Sequence, residues 1–448
     1  MNAWSLRTSA IALVAICGTS FGAATLEFIG DGIGVSDISA DGRVLVGNTI
    51  ADEAYEPWRW VQGDPQGWKR LGSATVPVLG TGAGAPNVSY DGTRVSATML
   101  GGMGGESRMT PYATQGIWTL GLGWTELFPP MPPDGILLDN GYGSAWGLSG
   151  DGTTVTGFYW RSTQGGQFGS AHPCRSTIAN GPMGLPTENN RSARVNASNF
   201  DGTVVAGWEA RADGAWRPTA WRDGVRYLLT DTPILCMANA VNADGSVIVG
   251  STYNYQAARS NPARWDWNGS EYVLTDLGVL PGTPQTSIAS VWASAVTDDG
   301  STIVGTNRNQ NNGPFSLSRG FVWTQAGGMR DIVDVLADEG LAFPANFMVS
   351  SLVISADGST IAGLGINLAE TAFLHWRTFV IRFSPLSTCP GDVNGDGQTN
   401  AADFTALAGN FATGPGAARA AGDLTDDGFV NVADFTVLAA DFGCSAAN

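Results

Sequence analysis

Histidine is nearly absent from this chain of 448 residues, which holds only His172 and His375. That excludes a zinc site built from several imidazoles and any His-Glu-x-x-His helix, and nothing near either histidine marks an activated serine. Charge is also scarce. Only 14% of residues are charged, and 23 Lys and Arg face 40 Asp and Glu for a net charge of -17. A surface so poor in cations excludes binding to nucleic acid or anionic lipid through a basic patch. Long apolar runs are missing as well. The longest near the N-terminus, Ala10 to Cys17, is far shorter than the ~20 residues of a membrane span. With Arg7 before it and Gly22-Ala23-Ala24 after it, it reads as a secretion signal over residues 1–24, so export is expected. Of the five cysteines, four then remain, which allows three pairings. Cys389 and Cys444 stand at the two edges of a C-terminal module and are the favoured pair, with Cys174 and Cys236 left as buried thiols.

What is abundant is glycine, at 61 residues, and tryptophan, at 16, the composition of a turn-rich, all-β protein. The glycines are ordered by a repeat. Ala295-Val296-Thr297-Asp298-Asp299-Gly300, followed by the alternating Ile303-Val304-Gly305, recurs with Asp-Gly at 41, 91, 151, 201, 244, 299 and 357. Asp-Gly supplies the positive φ of a tight turn, so each copy predicts a β-hairpin. The spacing of 43 to 60 residues is that of a four-stranded propeller blade. Third strands are expected at Pro57-Trp60, Gly116-Trp118, Thr219-Trp221, Ala263-Trp265 and Gly320-Trp323, with Cys174 and Ile381 at the Trp position of the third and seventh units. Outer strands are expected at Trp68-Leu71, Trp124-Leu127, Arg226-Leu229, Leu274-Leu277 and Met329-Ile332. The seventh unit leaves no room for one, and Thr25-Ile29 has the alternation to replace it. A ring closed in this way has no exposed sheet edge. The expected fold is mainly β: a seven-bladed propeller over 25–383, a linker over 384–388 and a small α-helical calcium-binding domain over 389–448.

The repeat of Val-x-Asp-Gly-x-x-x-Val-Gly, the x-Trp third strand and Leu274-Thr275-Asp276-Leu277-Gly278-Val279-Leu280-Pro281-Gly282 together resemble the extracellular HAF-repeat family. That resemblance spans roughly residues 25 to 383 and implies export and a repeat β fold, with no activity attached. Within the repeat, the turn Asp residues read as scaffold, bonding their own turn backbone. Trp118, Trp221, Trp265 and Trp323 read as packing between blades. Tyr159, Trp160, Tyr253, Tyr255 and Trp267 fall outside the repeat pattern, in or near long loops, and are the better candidates for a ligand face. Gly101 to Gly105 precedes no helix signal and reads as a loop rather than a phosphate cradle. Two carboxylates about 5 to 10 Å apart in the channel would suffice for glycoside hydrolysis, but the sequence does not choose them.

The C-terminal module carries a specific signal. Asp392-Val393-Asn394-Gly395-Asp396-Gly397-Gln398-Thr399-Asn400-Ala401-Ala402-Asp403 recurs as Asp423-Leu424-Thr425-Asp426-Asp427-Gly428-Phe429-Val430-Asn431-Val432-Ala433-Asp434. Hard oxygens at positions 1, 3, 5 and 12, a backbone carbonyl at 7 and Gly at 6 fit Ca²⁺ coordination. The predicted ligands are Asp392, Asn394, Asp396, Gln398 and Asp403 in one loop, then Asp423, Thr425, Asp427, Phe429 and Asp434 in the other, with Thr425 marking the weaker site. Between 389 and 448 eight Asp face one basic residue, Arg419, so metal binding and folding should be coupled. Each loop leads into an apolar stripe at helical spacing: Phe404, Leu407, Ala408 and Phe411, then Phe435, Leu438, Ala439 and Phe442. Two such loop-helix units with Asp at position 12 resemble a type I dockerin over 389 to 444. The resemblance implies a cohesin partner and polysaccharide-degrading assemblies. It places partner choice at Ala401, Ala402, Ala408 and Gly409, and at Val432, Ala433, Ala439 and Ala440. These carry no hydroxyl pair and no basic residue, so a different protein partner, or packing on the propeller, stands beside cohesin. The functional expectation is a secreted protein- or glycan-binding propeller docked through a calcium-loaded module. A glycoside hydrolase or lyase of such an assembly, and a structural surface protein, are the alternatives.

Overall fold

The structure is a computed structural model describing residues 24–49, 54–72, 76–77, 84–101, 112–127, 143–162, 168–283, 289–309, 318–368, 376–383, 389–394, 398–414, 417, 421–425 and 429–444. The secretion-signal, linker, His375, Asp396 and Asp427 readings fall outside them. So do the side chain of Trp160 and residues 102–105 of the glycine run.

Seven four-stranded antiparallel sheets form the propeller. Blade 4 shows the plan, running from Ala193–Ser198 through Val204–Ala210 and Trp216–Arg222 to Val225–Leu228. The sequence dictates its first hairpin in detail. Asp201 Oδ1 accepts from the Thr203 N–H at 3.0 Å while Gly202 takes φ +76°. The Thr203 hydroxyl and N–H hold the Asp201 carboxyl below its ordinary range, so the turn is fixed by its own residues. The glycine closing the motif has a different reason. Inner strands carry a bulge, as between Val195 and Ala197, and this brings their backbone close. A Cβ on Gly47, Gly207 or Gly305 would lie 1.8, 1.9 or 2.2 Å from the facing carbonyl oxygen.

Blades are joined by parts the sequence reading missed. An arginine of one blade donates to the turn-glycine carbonyl of the next: Arg59 to Gly92 at 2.9 Å, Arg94 to Gly152 at 3.0 Å, Arg175 to Gly202 at 3.0 Å and Arg382 to Gly42 at 3.0 Å. Arg222 to Gly245 and Arg264 to Gly300 repeat the contact. Third-strand tryptophans fill the same seams. Trp58, Trp221 and Trp265 are fully buried, and the last two donate to Pro186 and Thr230 of the preceding blade. Trp118 and Trp323 are half-buried.

The hairpin turns also close a ring around the axis. Ala40 N–H bonds Tyr90 O, Tyr90 N–H bonds Gly150 O, Phe200 N–H bonds Ala243 O, and Asp298 N–H bonds Ala356 O. Asp151 and Asp357 N–H groups and the Asn242 amide complete the circuit. The last blade receives its outer strand from the N-terminus: Ala24–Asp31 pairs with Trp376–Phe383, Ala24 opposite Phe383. One element departs from expectation. The outer strand of blade 6 ends at Asp331, which caps helix α1 (Ile332–Asp338), and Ile332, Val335 and Leu336 of α1 are buried in the core beside blade 7.

In the C-terminal module, α2 (Ala401–Gly409) and α3 (Val432–Asp441) start with matching capping boxes at Asn400 and Asn431. Val393, Leu407, Leu424, Val430 and Leu438 form its core. Each loop pairs with the tail of the other helix, Thr399 with Gly443 and Cys444, Val430 with Ala412 and Thr413. The two units thus relate as a near two-fold pair.

Candidate metal loops and the central channel

Each loop buries two carboxylates. Asp392 and Asp423 are 2% exposed, and Asp403 and Asp434 are fully buried. The helix caps place the latter two. Asp403 Oδ1 accepts from the Val393 and Asn394 N–H groups at 2.9 and 3.0 Å, and Oδ2 from Asn400 N–H at 2.8 Å. Asp434 repeats this with Leu424, Thr425 and Asn431 N–H groups and adds the Thr425 hydroxyl at 2.9 Å. Burial alone would raise the Asp434 pKa, but these donors outweigh it and hold the group below its ordinary range. Such neutral donors orient a carboxylate without cancelling its charge. Two buried carboxyl groups per loop, one of them oriented by neutral donors, are a donor set that suits a hard divalent cation.

The ends of the module are clasped. A disulfide joins Cys389 to Cys444 with Cα atoms 5.5 Å apart. Asp441 Oδ2 accepts from Gly391 N–H at 2.7 Å and the Thr399 hydroxyl at 2.6 Å. Asp441 and the two sulfurs lie close together, but the sulfurs are committed to each other. Cys174 and Cys236 are free and buried.

The helical stripes divide. Leu407 and Leu438 are buried, whereas Phe404, Phe411, Phe435 and Phe442 are 41 to 58% exposed. Phe404 meets Phe435 edge-to-face at 6.0 Å across the pseudo-two-fold. Ala401, Ala402, Ala408, Gly409, Val432, Ala433, Ala439 and Ala440 are all exposed.

Around the propeller axis runs a cavity of about 300 Å³, lined by inner-strand residues of all seven blades. Asp37 is its single lining carboxylate among the described residues, and burial pushes that carboxyl up to about 7 despite a bond from Val88 N–H at 2.8 Å. At the hairpin end, the Tyr90 hydroxyl donates to Asp298 of blade 6 at 2.6 Å, and Phe200 packs edge-to-face on Tyr90 at 5.4 Å. Burial and Asp298 together raise the Tyr90 pKa above its ordinary value. Arg194 lies 3.5 Å over the ring of Trp146, and burial lowers its pKa to about 10.

The expected ligand-face aromatics lie elsewhere, mostly on strands rather than in loops. Tyr159 stacks on His172, whose Nε2 shares a 2.9 Å hydrogen bond with Ser170. Trp267 is held among Tyr227, Tyr272 and Arg222. Tyr253 lies one residue from the end of a strand and meets Tyr255, which is 69% exposed in the following turn.

Residues 390–442 match the family model of the Dockerin type I domain. The chain thus joins a seven-bladed β-propeller to a type I dockerin domain. Dockerins of this type typically bind calcium, pair with a cohesin-type protein and occur on extracellular proteins. No helix among the described residues is long and apolar enough to cross a membrane. Comparison with curated proteins finds no match. Among solved structures, oligogalacturonate lyase from Vibrio parahaemolyticus is similar over 82% of this chain and 100% of its own, at 12% identity and TM-score 0.49. The β-propeller domain of the Trilobed protease from Pyrococcus furiosus is similar over 79% and 95%, at 12% identity and TM-score 0.46. TolB from Acinetobacter baumannii is similar over 65% and 63%, at 14% identity and TM-score 0.41. This chain therefore spans less than two thirds of that TolB. At these values nothing about activity follows from any of the three.

Proposed function

We propose that this is an exported binding protein. Its propeller, built of HAF-type repeats, engages a glycan or protein partner, and its terminal domain carries two Ca²⁺ ions and docks to a cohesin-type domain. Residues 1–24 act as the export signal, 25–383 form the propeller, 384–388 the linker and 389–448 the docking domain. The observation that carries the reading is the duplicated loop, each copy burying two carboxyl groups, one of them held by neutral donors. Asp392, Asn394, Asp396, the Gln398 carbonyl and Asp403 would hold one ion. Asp423, Thr425, Asp427, the Phe429 carbonyl and Asp434 would hold the other. The exposed phenylalanines and small residues of α2 and α3 supply an apolar docking face. A binding role is preferred over glycoside hydrolysis because, among the described residues, the channel lining holds one carboxylate, Asp37, rather than two. Immobilised cohesin domains should capture the whole protein in calcium and release it in EGTA. Capture that ignores EGTA, or capture by none of a broad cohesin panel, refutes the docking assignment.

A further inference from the structure

Alignment of the blades on the Ser, Thr or Asn that precedes each x-Asp-Gly turn shows where the ring breaks its own pattern. Three residues before that anchor, Ser36, Asn196, Asn239 and Ser294 each donate a side-chain hydrogen bond to the inner-strand carbonyl of the next blade, to Pro86, Ala238, Ala293 and Leu352. Blades 2, 3 and 7 have Pro86, Trp146 and Leu352 there; Asn87 of blade 2 and Thr378 of blade 7 reach the next blade's Trp146 and Ile33 carbonyls instead, and among the described residues blade 3 makes no such side-chain link to blade 4. Arg194 occupies the gap, five residues before its anchor, where the other blades have Gly34, Gly84, Ser144, Met237, Trp292 and Ser350. Two residues before the anchor, blades 3 to 6 have only Gly or Ala, while blade 1 has Asp37. The arginine and the carboxyl are thus each found at their aligned position in one blade alone.

Arg194 differs in its bonding from the arginines of the blade seams. Those reach a turn carbonyl, whereas its Nε donates to Asn196 Oδ1 at 2.8 Å and one terminal nitrogen faces only the Met237 sulfur at 3.9 Å. It forms no ion pair among the described residues. A guanidinium carries five N–H donors in a planar fork, and here most of that fork has no strong acceptor. Stacking on Trp146 offsets part of the cost of burying the charge but supplies no counter-ion. The matching chemistry is a carboxylate, which accepts two parallel N–H bonds from such a fork. Around it stand polar groups suited to hydroxyls: Asp37, kept largely protonated below pH 7, and the Asn87, Asn196 and Asn239 amides. With Tyr90 and Asp298 crossing the hairpin end, and about 300 Å³ of space, the occupant must be small.

We propose that the central channel is a binding site for a small hydroxylated carboxylate, a sugar acid or hydroxy acid, seated on the Arg194 fork against Trp146. The inference rests on reading the propeller as a binding module and is independent of the docking domain. Calorimetry on the full calcium-loaded chain tests it, with D-glucuronate, D-glucose and L-lactate as probes. At least one acid should bind with a dissociation constant below about 1 mM, and glucose at least about tenfold more weakly. Binding of glucuronate alone assigns a sugar acid, and of lactate alone or both assigns the smaller acid motif. R194Q should lose at least about tenfold in affinity, and R194K, which keeps charge but not the fork, should lose an intermediate amount. If R194Q fails to fold, as read by near-UV circular dichroism, R194K and the ligand-induced change in Trp146 emission, absent in W146F, decide instead. Equal binding of glucose and glucuronate, undiminished binding in a folded R194Q or R194K, or no acid binding at about 10 mM overturns the site. Loss of this binding while cohesin capture persists would fall on the channel alone.

Discussion

The propeller and the terminal domain both repeat Asp-Gly in sequence, and the contrast between the aspartates of the two regions shows what separates scaffold from candidate site. In the propeller the turn carboxylates of Asp41, Asp151, Asp201 and Asp357 are exposed and saturated by their own loop. In the terminal domain Asp392, Asp403, Asp423 and Asp434 are buried. An exposed acid bonded to its own turn is solvated by water and needs no bound ion. A buried pair is costly to keep charged, so a cation bound at these loops would couple to the module's folding. The same residue type is scaffold in one region and candidate ligand in the other.

Calcium removal should separate the two regions most strongly. EGTA should abolish the thermal transition of the terminal domain and leave that of the propeller, with a loss of about 4 kcal/mol per loop if calcium is held at a thousand times its dissociation constant. Scanning calorimetry of the whole chain reads both. Unchanged transitions in EGTA would place the terminal acids with the hairpin acids, as groups the protein satisfies by itself.

A smaller effect should tilt the two regions apart with pH. The Asp37 pKa, raised to about 7 in the folded chain, lies above the ~3.9 of the unfolded one. Its contribution to propeller stability is complete below about pH 4 and is lost as pH rises through 7, in total ~2–4 kcal/mol. Asp434 runs the other way. Its pKa is lowered, so its contribution is present above the unfolded value and lost only in stronger acid. D37N should flatten the propeller's decline between pH 5 and 8 and leave the terminal domain untouched. Denaturant midpoints across that range measure it, and an equal decline in D37N would refute the assignment.

Least of all should come from a single hairpin acid. Asp201→Ala removes the acceptor of the Thr203 N–H and hydroxyl bonds, each made at the surface, and should cost the propeller about 1 kcal/mol with no change in calcium response. A shift in the calcium-dependent transition would contradict the separation of the two regions.

Much of this architecture was legible in the chain. The Asp-Gly period counted the blades, and the absent outer strand after Phe379-Val380-Ile381 pointed to the N-terminal segment. What escaped did so for physical reasons. Helix α1 is only seven residues long and follows a strand, so its periodicity is too brief to stand out. Arg59, Arg222 and Arg264 sit beside third-strand tryptophans, but the role of all the seam arginines depends on the next blade's carbonyl, which no local pattern reveals. The stripe of Phe404 and Phe411 has the spacing of a core face. Yet the module has one small core, built on Leu407 and Leu438, and its phenylalanines stay outside. Arg194 and Asp37 become visible only when blades are aligned on a common register and their contacts compared.

The pairing of Ala24–Asp31 with Trp376–Phe383 also sets a clock. Each other blade completes itself from a stretch of neighbouring chain as soon as that stretch is available. The seventh must wait for a segment made first and for a partner made more than three hundred residues later, so ring closure is the contact of greatest sequence separation. Until then two sheet edges stand open, and the early strand needs protection from mispairing. The order of synthesis and the order of folding are therefore opposed at this one joint, and the rate of closing it sets when the protein becomes a ring.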